Sequence, residues 1–90
     1  MQRMHVFVKG KVQGVFFRAH MRLEAGSRSI TGWVKNLPDG SVEGIIEGTA
    51  SDLATMLEWC HQGPPGAFVS YVEATHEPYV GNYQDFSIIY

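Results

Sequence analysis

The order of its periodic segments restricts this chain of 90 residues to very few folds. Residues 4–12 alternate apolar and polar side chains, which predicts a strand with one buried face. Residues 17–28 repeat apolar side chains at every fourth position, which predicts a helix. Residues 29–48 predict a hairpin, because two strand-like segments flank the Pro-Asp-Gly turn within residues 37–41.

The second half of the chain contains a helix followed by two strand-like segments. The helix has an apolar stripe at i, i+3, i+4 and i+7, made of Leu53, Met56, Leu57 and Cys60. We expect Ser51 to cap this helix at its N-terminus and Gly63 to end it. Residues 67–75 and 86–90 then predict two strands, with a rigid Gly-Pro-Pro-Gly loop before the first of them.

This β-α-β-β-α-β order, with a short terminal strand, predicts an α+β fold. Two helices on one face of a mostly antiparallel sheet give the ferredoxin-like plait. In that arrangement the first two strands run parallel and are separated by the third. Their carboxyl ends therefore reach the same edge of the sheet, where the loop of residues 13–18 should meet Asn36. We expect a single domain over residues 1–90.

Composition indicates the compartment in which the chain works. The apolar runs are far shorter than a bilayer span, and the first residues lack the features of a signal peptide. Cys60 is the only cysteine, which excludes an internal disulfide and gives no sign of an oxidising compartment. We therefore expect a cytoplasmic protein.

Charge is distributed unevenly between the two halves of the chain. Residues 1–40 contain all seven Lys and Arg and only two acids, whereas residues 41–90 contain the other seven acids. This asymmetry favours one anion-attracting region on an otherwise acidic molecule. The alternative is a chance distribution of solvated charges.

The loop of residues 13–18 is the first candidate site. Gly14 can adopt a positive φ, so that successive N–H groups point into one concavity at a helix N-terminus and suit a phosphate. Arg18 would add a fork of donors, and an anion there would offset its unfavourable position in the first helical turn. We expect Val15, Phe16 and Phe17 to exclude water and pack the loop down. The alternative is a glycine turn with a solvent-facing arginine, and spacing alone does not separate the two.

Asn36 is the second candidate. Between a strand and a Pro-Asp-Gly turn, an asparagine commonly serves turn formation. Its convergence with the loop favours a different role, because a carboxamide can hold a water molecule in line for attack but cannot take its proton.

The other candidates point to structural roles. His5, His20, His61 and His76 include no pair at metal-ligand spacing, and Cys60 lies on an apolar stripe, so we expect no metal site. Glu43 and Glu47 share a strand face, which we interpret as solvated. Trp33, Trp59 and Tyr71 are interpreted as packing residues.

Two segments together resemble the acylphosphatase family: "GKVQGVFFR" (10–18) and "GWVKNLPDGSVEG" (32–44). "HQGPPGAFV" and the terminal "FSIIY" fit the second half of that family, so the likeness spans essentially the whole chain. The resemblance implies the fold deduced above. It also implies hydrolysis of acyl phosphates to a carboxylate and inorganic phosphate, without metal or cofactor.

The resemblance also implies roles for particular residues and partners. The phosphate-binding arginine of the family falls on Arg18, and its water-positioning asparagine falls on Asn36. The phosphoryl group would be cradled by the backbone amides of Gln13, Gly14, Val15, Phe16 and Phe17. The implied partners are a small-molecule acyl phosphate and, as product or inhibitor, inorganic phosphate. We expect a monomer that binds neither nucleic acid nor membrane.

The chain departs from the family where Leu-Gly-Leu commonly precedes the Gly-Trp-Val segment. Residues 28–30 are Arg-Ser-Ile here, so a left-handed glycine is lost at the helix end, at a cost of about 1 kcal/mol. We expect Gly26 to end the helix earlier and relieve this cost.

Two other functions remain open. An RNA-recognition domain shares the strand order, but the third strand here carries two glutamates and none of the stacking aromatics of such a domain. A non-catalytic anion-binding domain, like the acylphosphatase-like segment of larger carbamoyl-transfer proteins, is the other.

Overall fold

The computed structural model describes all residues from Met1 to Tyr90. It contains two helices and five strands, in the order β1 (Gln2–Lys11), α1 (Phe17–Ser27), β2 (Thr31–Asn36), β3 (Val42–Gly48), α2 (Ala50–Gln62), β4 (Phe68–Glu77) and β5 (Phe86–Ile88). This order confirms the one predicted from the sequence. β1 begins earlier and β4 ends later than predicted, because Arg3 and Glu77 pair where the two strands meet.

The strands form one sheet in the order β4-β1-β3-β2-β5. β3 is antiparallel to both β1 and β2, so β1 and β2 run parallel with β3 between them, as predicted. The short β5 adds to the outer edge of β2 in parallel. The ferredoxin-like fold is therefore confirmed, and the carboxyl ends of β1 and β2 lie at the same edge.

The core lies between one face of the sheet and the two helices. Alternate residues of β1 supply Val6 and Val8, which are about 1% exposed. The predicted helical stripes are buried as well, through Phe17, Met21 and Ala25 of α1 and Leu53, Met56 and Cys60 of α2. Apolar burial on this single face is what holds the helices against the sheet.

The N-cap of α2 is Thr49, so the prediction of Ser51 is wrong. Thr49 has an extended backbone, and its hydroxyl accepts a hydrogen bond from the Asp52 amide at 3.1 Å. The Thr49 hydroxyl therefore pairs one of the free amides at the helix start, and the negative charge of Asp52 interacts favourably with the helix dipole. At its other end the helix is ended by Gly63, as predicted.

The end of α1 differs from the prediction that Gly26 ends it. The helix continues to Ser27, and Ser29 adopts a left-handed φ of 56°. The Ser29 amide donates to the Gly26 carbonyl at 3.3 Å, and the Ile30 amide donates to the Ala25 carbonyl at 2.9 Å. This is the Schellman ending, in which glycine normally occupies the position of Ser29. A serine there holds a conformation that L-residues adopt only at a cost.

The sheet face away from the helices contains a buried carboxylate that the sequence did not predict. Glu47 is 1% exposed, so its interpretation as a solvated carboxylate is wrong. It accepts hydrogen bonds from the amides of Val80 and Gly81 and lies 3.5 Å from an Arg3 nitrogen. Since a buried carboxylate needs such partners, Glu47 anchors the segment between β4 and β5 over this face.

Neither helix of the structure is long and apolar enough to span a membrane.

Replacing Ser29 with glycine should stabilise the protein by about 0.5 to 1 kcal/mol, because glycine adopts the left-handed conformation without steric cost. Urea unfolding would measure the change. The same substitution at Ser27, which lies within α1, should instead destabilise by a similar amount. Equal effects of the two changes would contradict this account of the helix end.

Candidate active site

A cavity of about 380 Å³ lies at the carboxyl ends of β1 and β2. Seven of its ten lining residues fall between Val12 and Ala19, and the other three are Asn36, Ile88 and Tyr90. The convergence of the loop and Asn36, predicted from strand order, is therefore what the structure has. Among the sequence-predicted residues Gln13, Gly14, Phe16, Phe17, Arg18 and Asn36 line the cavity, and Val15 does not.

The loop backbone alternates the sign of φ from residue to residue. Gly14 has a φ of 76° and Phe16 a φ of 62°, whereas Gln13 and Val15 are not in the positive-φ region. Alternation of this kind is typical of a nest, a backbone concavity in which successive N–H groups point to one side and bind an anion. A Cβ on Gly14 would meet nothing within 4 Å, so this glycine is needed for its conformation and not for lack of space.

The amides of this loop have no acceptors within the protein. No hydrogen bond is donated by the backbone N–H groups of residues 13–16. Helix α1 begins directly afterwards with no side-chain cap and no acidic residue in its first turn, so its first amides are free as well. A run of unpaired donors at a helix N-terminus is the electrostatic environment that an anion prefers.

Arg18 adds a full positive charge beside these donors. It lies in the first turn of α1 and forms no salt bridge, whereas Arg3, Arg28 and Lys35 are each paired with a glutamate. Its guanidinium lies 5.2 Å from the centre of the Tyr90 ring, which supports the side chain without neutralising it. The cation at the cavity therefore has no protein counter-ion.

Asn36 supplies an unsatisfied acceptor to the same cavity. It is the last residue of β2, and its Oδ1 atom is buried without a hydrogen-bond partner. A buried polar atom left unpaired costs roughly 1 to 3 kcal/mol. The cost is removed when a donor enters the cavity, and a water molecule is such a donor.

The side chain of Gln13 has a contact that sequence reasoning missed. Its Nε2 atom donates to the Leu37 carbonyl at 2.8 Å and to the Ser41 carbonyl at 2.9 Å, in the turn that follows Asn36. Within that turn Asp39 accepts from the Ser41 hydroxyl and amide, which hold the pKa of the Asp39 carboxyl below its usual range. The only sequence signal was a polar side chain in an otherwise apolar loop.

The apolar residues of the loop behave differently from one another. Phe17 is buried and Val15 packs against the core, as predicted. Phe16 is 76% exposed, so the prediction that it packs the loop down is wrong. Its left-handed backbone turns the side chain away from the core. Ile88 and Tyr90 were missed because no local pattern reveals that the last strand pairs beside β2.

The remaining candidate groups lie away from the cavity. No group of three or more His, Cys, Asp or Glu is placed to hold a metal ion. Burial raises the pKa of the Cys60 thiol to about 12, so it is not a nucleophile in the folded protein. Trp59 packs on Phe17, but Tyr71 is 54% exposed, which contradicts its interpretation as a packing residue.

Comparisons with known proteins show which family has this fold. The family model described as Acylphosphatase matches residues 4–88. A protein named Acylphosphatase from Syntrophus aciditrophicus (strain SB) is 49% identical over 90 residues, covering 100% of this chain and 94% of that protein. Another named Acylphosphatase, from Rubrobacter xylanophilus, is 46% identical and covers 97% of this chain and 79% of that protein.

Solved structures agree with these relatives. The crystal structure of acylphosphatase from Bacillus subtilis superposes with a TM-score of 0.96 at 37% identity and covers 100% of both chains. T. kodakarensis HypF superposes with a TM-score of 0.85 at 31% identity, but the match covers only 12% of that chain. The chain belongs to the acylphosphatase family.

Proposed function

We propose that this chain hydrolyses acyl phosphates to a carboxylate and inorganic phosphate. The observation that carries the proposal is one cavity that combines unpaired loop amides, an arginine without a counter-ion and an unsatisfied carboxamide oxygen. Membership of the acylphosphatase family and the names of its relatives support the same activity.

The phosphoryl group binds in the nest of the loop. Its non-bridging oxygens accept hydrogen bonds from the amides of residues 13–17, and the Arg18 guanidinium offers a planar pair of donors to the same oxygens. Because these donors are already oriented before the substrate arrives, they stabilise charge that builds up on the phosphoryl oxygens in the transition state.

Asn36 orients the attacking water. Its Oδ1 atom accepts one hydrogen bond from the water and leaves an oxygen lone pair directed at phosphorus. The water oxygen bonds to phosphorus as the bond from phosphorus to the acyl oxygen breaks. The acyl group leaves as a carboxylate, which is stable enough to need no general acid.

The proton of the water goes to a phosphoryl oxygen of the substrate. No Asp, Glu, His, Lys or Cys lines the cavity, so the usual protein bases are lacking there. A guanidinium and a carboxamide cannot accept a proton near neutral pH. The reaction as proposed needs no metal and no cofactor.

The sheet face away from the helices supports this proposal over nucleic-acid binding. Glu43 and Glu47 lie on the central strand β3, where an RNA-recognition domain would stack bases on aromatic rings. The segment that contains Val80 and Gly81 is also hydrogen-bonded to Glu47 and covers part of this face, where bases would have to stack.

The activity itself is tested by hydrolysis of benzoyl phosphate, followed spectrophotometrically in the presence of a metal chelator. We expect turnover that the chelator does not change. Failure of the protein to hydrolyse the compound would refute the proposed function, and activity lost to the chelator would refute the metal-free mechanism.

Arg18→Ala and Asn36→Ala should affect different kinetic constants. Loss of the guanidinium should raise the inhibition constant of inorganic phosphate and lower kcat together. Loss of the carboxamide should leave phosphate inhibition nearly unchanged while kcat falls by at least about 10²-fold, or roughly 3 kcal/mol, because the water is no longer held.

Matched controls for these two variants are Arg22→Ala and Asn82→Ala, which remove the same groups from exposed positions. Both controls should retain activity within about twofold. Normal turnover by Asn36→Ala would show that the proposed role in positioning water is wrong.

The rate should be independent of pH between about pH 6 and pH 8, where free histidines titrate. The reason is that the substrate, and not a side chain, accepts the proton. Initial rates with saturating benzoyl phosphate would measure the profile. His20 is the histidine next to the loop, with Nδ1 3.0 Å from the Phe16 carbonyl oxygen. If the rate changed with pH in this range and the change disappeared in His20→Ala, His20 would be the base instead.

A further inference from the structure

The proposed reaction needs a fixed distance between two parts of the protein that are not neighbours in the sheet. The loop amides follow β1 and Asn36 ends β2, but β3 lies between these strands. A phosphoryl group held by one part must receive a water held by the other. Displacement of either by about 1 Å can cost roughly 10²-fold in rate.

Gln13 bridges these two parts directly. Its Nε2 atom donates one hydrogen bond to the Leu37 carbonyl and one to the Ser41 carbonyl, so both of its hydrogens are used. Both acceptors are carbonyl oxygens, which fixes the orientation of the carboxamide. These are the only hydrogen bonds that join residues 12–16 to any part of the protein other than α1.

The turn that receives these bonds is itself rigid. The Leu37 amide donates to the Ser41 carbonyl at 2.8 Å, and the Gly40 amide donates to the Leu37 carbonyl at 3.1 Å. Each carbonyl that Gln13 contacts is therefore also an acceptor within the turn. Because Leu37 follows Asn36 directly, a shift of Leu37 is transmitted to the backbone of Asn36.

We propose that Gln13 is a positioning residue that sets the separation between the phosphoryl-binding amides and the water held by Asn36. This inference rests on the proposed function. It gives the side chain of Gln13 a role separate from that of its backbone amide. The side chain acts through the turn and does not itself touch the reacting atoms.

The test is a double-mutant cycle with Gln13→Met and Asn36→Ala. Methionine has a similar length and no donor, so it removes both hydrogen bonds with little change in volume. In the otherwise unchanged protein we expect kcat for benzoyl phosphate to fall about tenfold, while the inhibition constant of phosphate changes less than about threefold. In the Asn36→Ala background the same change should lower kcat less than about twofold, because no positioned water remains.

A second variant keeps the test informative if Gln13→Met folds poorly. Gln13→Glu keeps the shape of the side chain but places a carboxylate against two carbonyl oxygens, so its loss of kcat should exceed that of methionine. Gln84→Met, at an exposed glutamine, is the matched control and should leave kcat unchanged. Thermal unfolding of each variant separates loss of fold from loss of rate.

Three results would overturn the inference. They are an unchanged kcat in Gln13→Met, an equal fold-loss in both backgrounds, or a phosphate inhibition constant that rises as much as kcat falls. The second would mean a structural role alone, and the third would mean that Gln13 only holds the loop. A protein with no activity on benzoyl phosphate before any substitution would instead show that the proposed function is wrong.

Discussion

The site depends on a short stretch of backbone whose N–H groups find no acceptors within the protein. The alternation of φ signs through Gly14 and Phe16 keeps the N–H groups of residues 13–16 out of the hydrogen bonding of β1 and α1. Their N–H groups therefore remain free at the start of a helix, where the dipole adds further positive potential. Unpaired donors are costly in a folded protein, and an anion is the ligand that removes the cost. Arg18 has no carboxylate partner, so its positive charge also favours an anion at this place.

The sheet brings a second part of the chain, the end of β2, to this loop. Since β1 and β2 are both antiparallel to β3, they present their carboxyl ends at one edge. Asn36 thereby reaches the cavity formed by the loop, and the Gln13 side chain joins the two across the end of β3. The proposed donors to the phosphoryl group and the proposed acceptor for water thus lie at the ends of β1 and β2, on either side of β3. In this account the protein supplies position and charge, and the substrate supplies the base.

The fold, and the convergence of the loop with Asn36, could be predicted from the sequence because they depend on periodicity and strand order. Arg18 and Asn36 meet at one cavity because the strands that precede them run parallel and end at the same edge of the sheet. Predictions failed where a side chain's environment is set by distant segments. Glu47 is buried by residues that lie more than thirty positions later, and nothing in its own strand reveals this. The Gln13 contact likewise joins residues 24 and 28 positions apart.

Two non-glycine residues hold left-handed backbone conformations, and they have different consequences. Ser29 ends a helix where glycine would serve better, which concerns stability alone. Phe16 adopts its conformation within the loop that we propose to bind the phosphoryl group, and its apolar ring stays exposed beside the cavity. Strain of this kind persists where the surrounding structure requires it, and here the requirement is the shape of the loop.

The central claim is that the amides of residues 13–17 bind the phosphoryl group. A titration of ¹⁵N-labelled protein with inorganic phosphate, followed by ¹H–¹⁵N correlation spectra, tests it most directly. The account predicts that these five amides and the Arg18 side-chain Nε–H shift together and saturate at one affinity. Amides of the loop that stay unmoved, while saturable shifts appear elsewhere on the molecule, would contradict it.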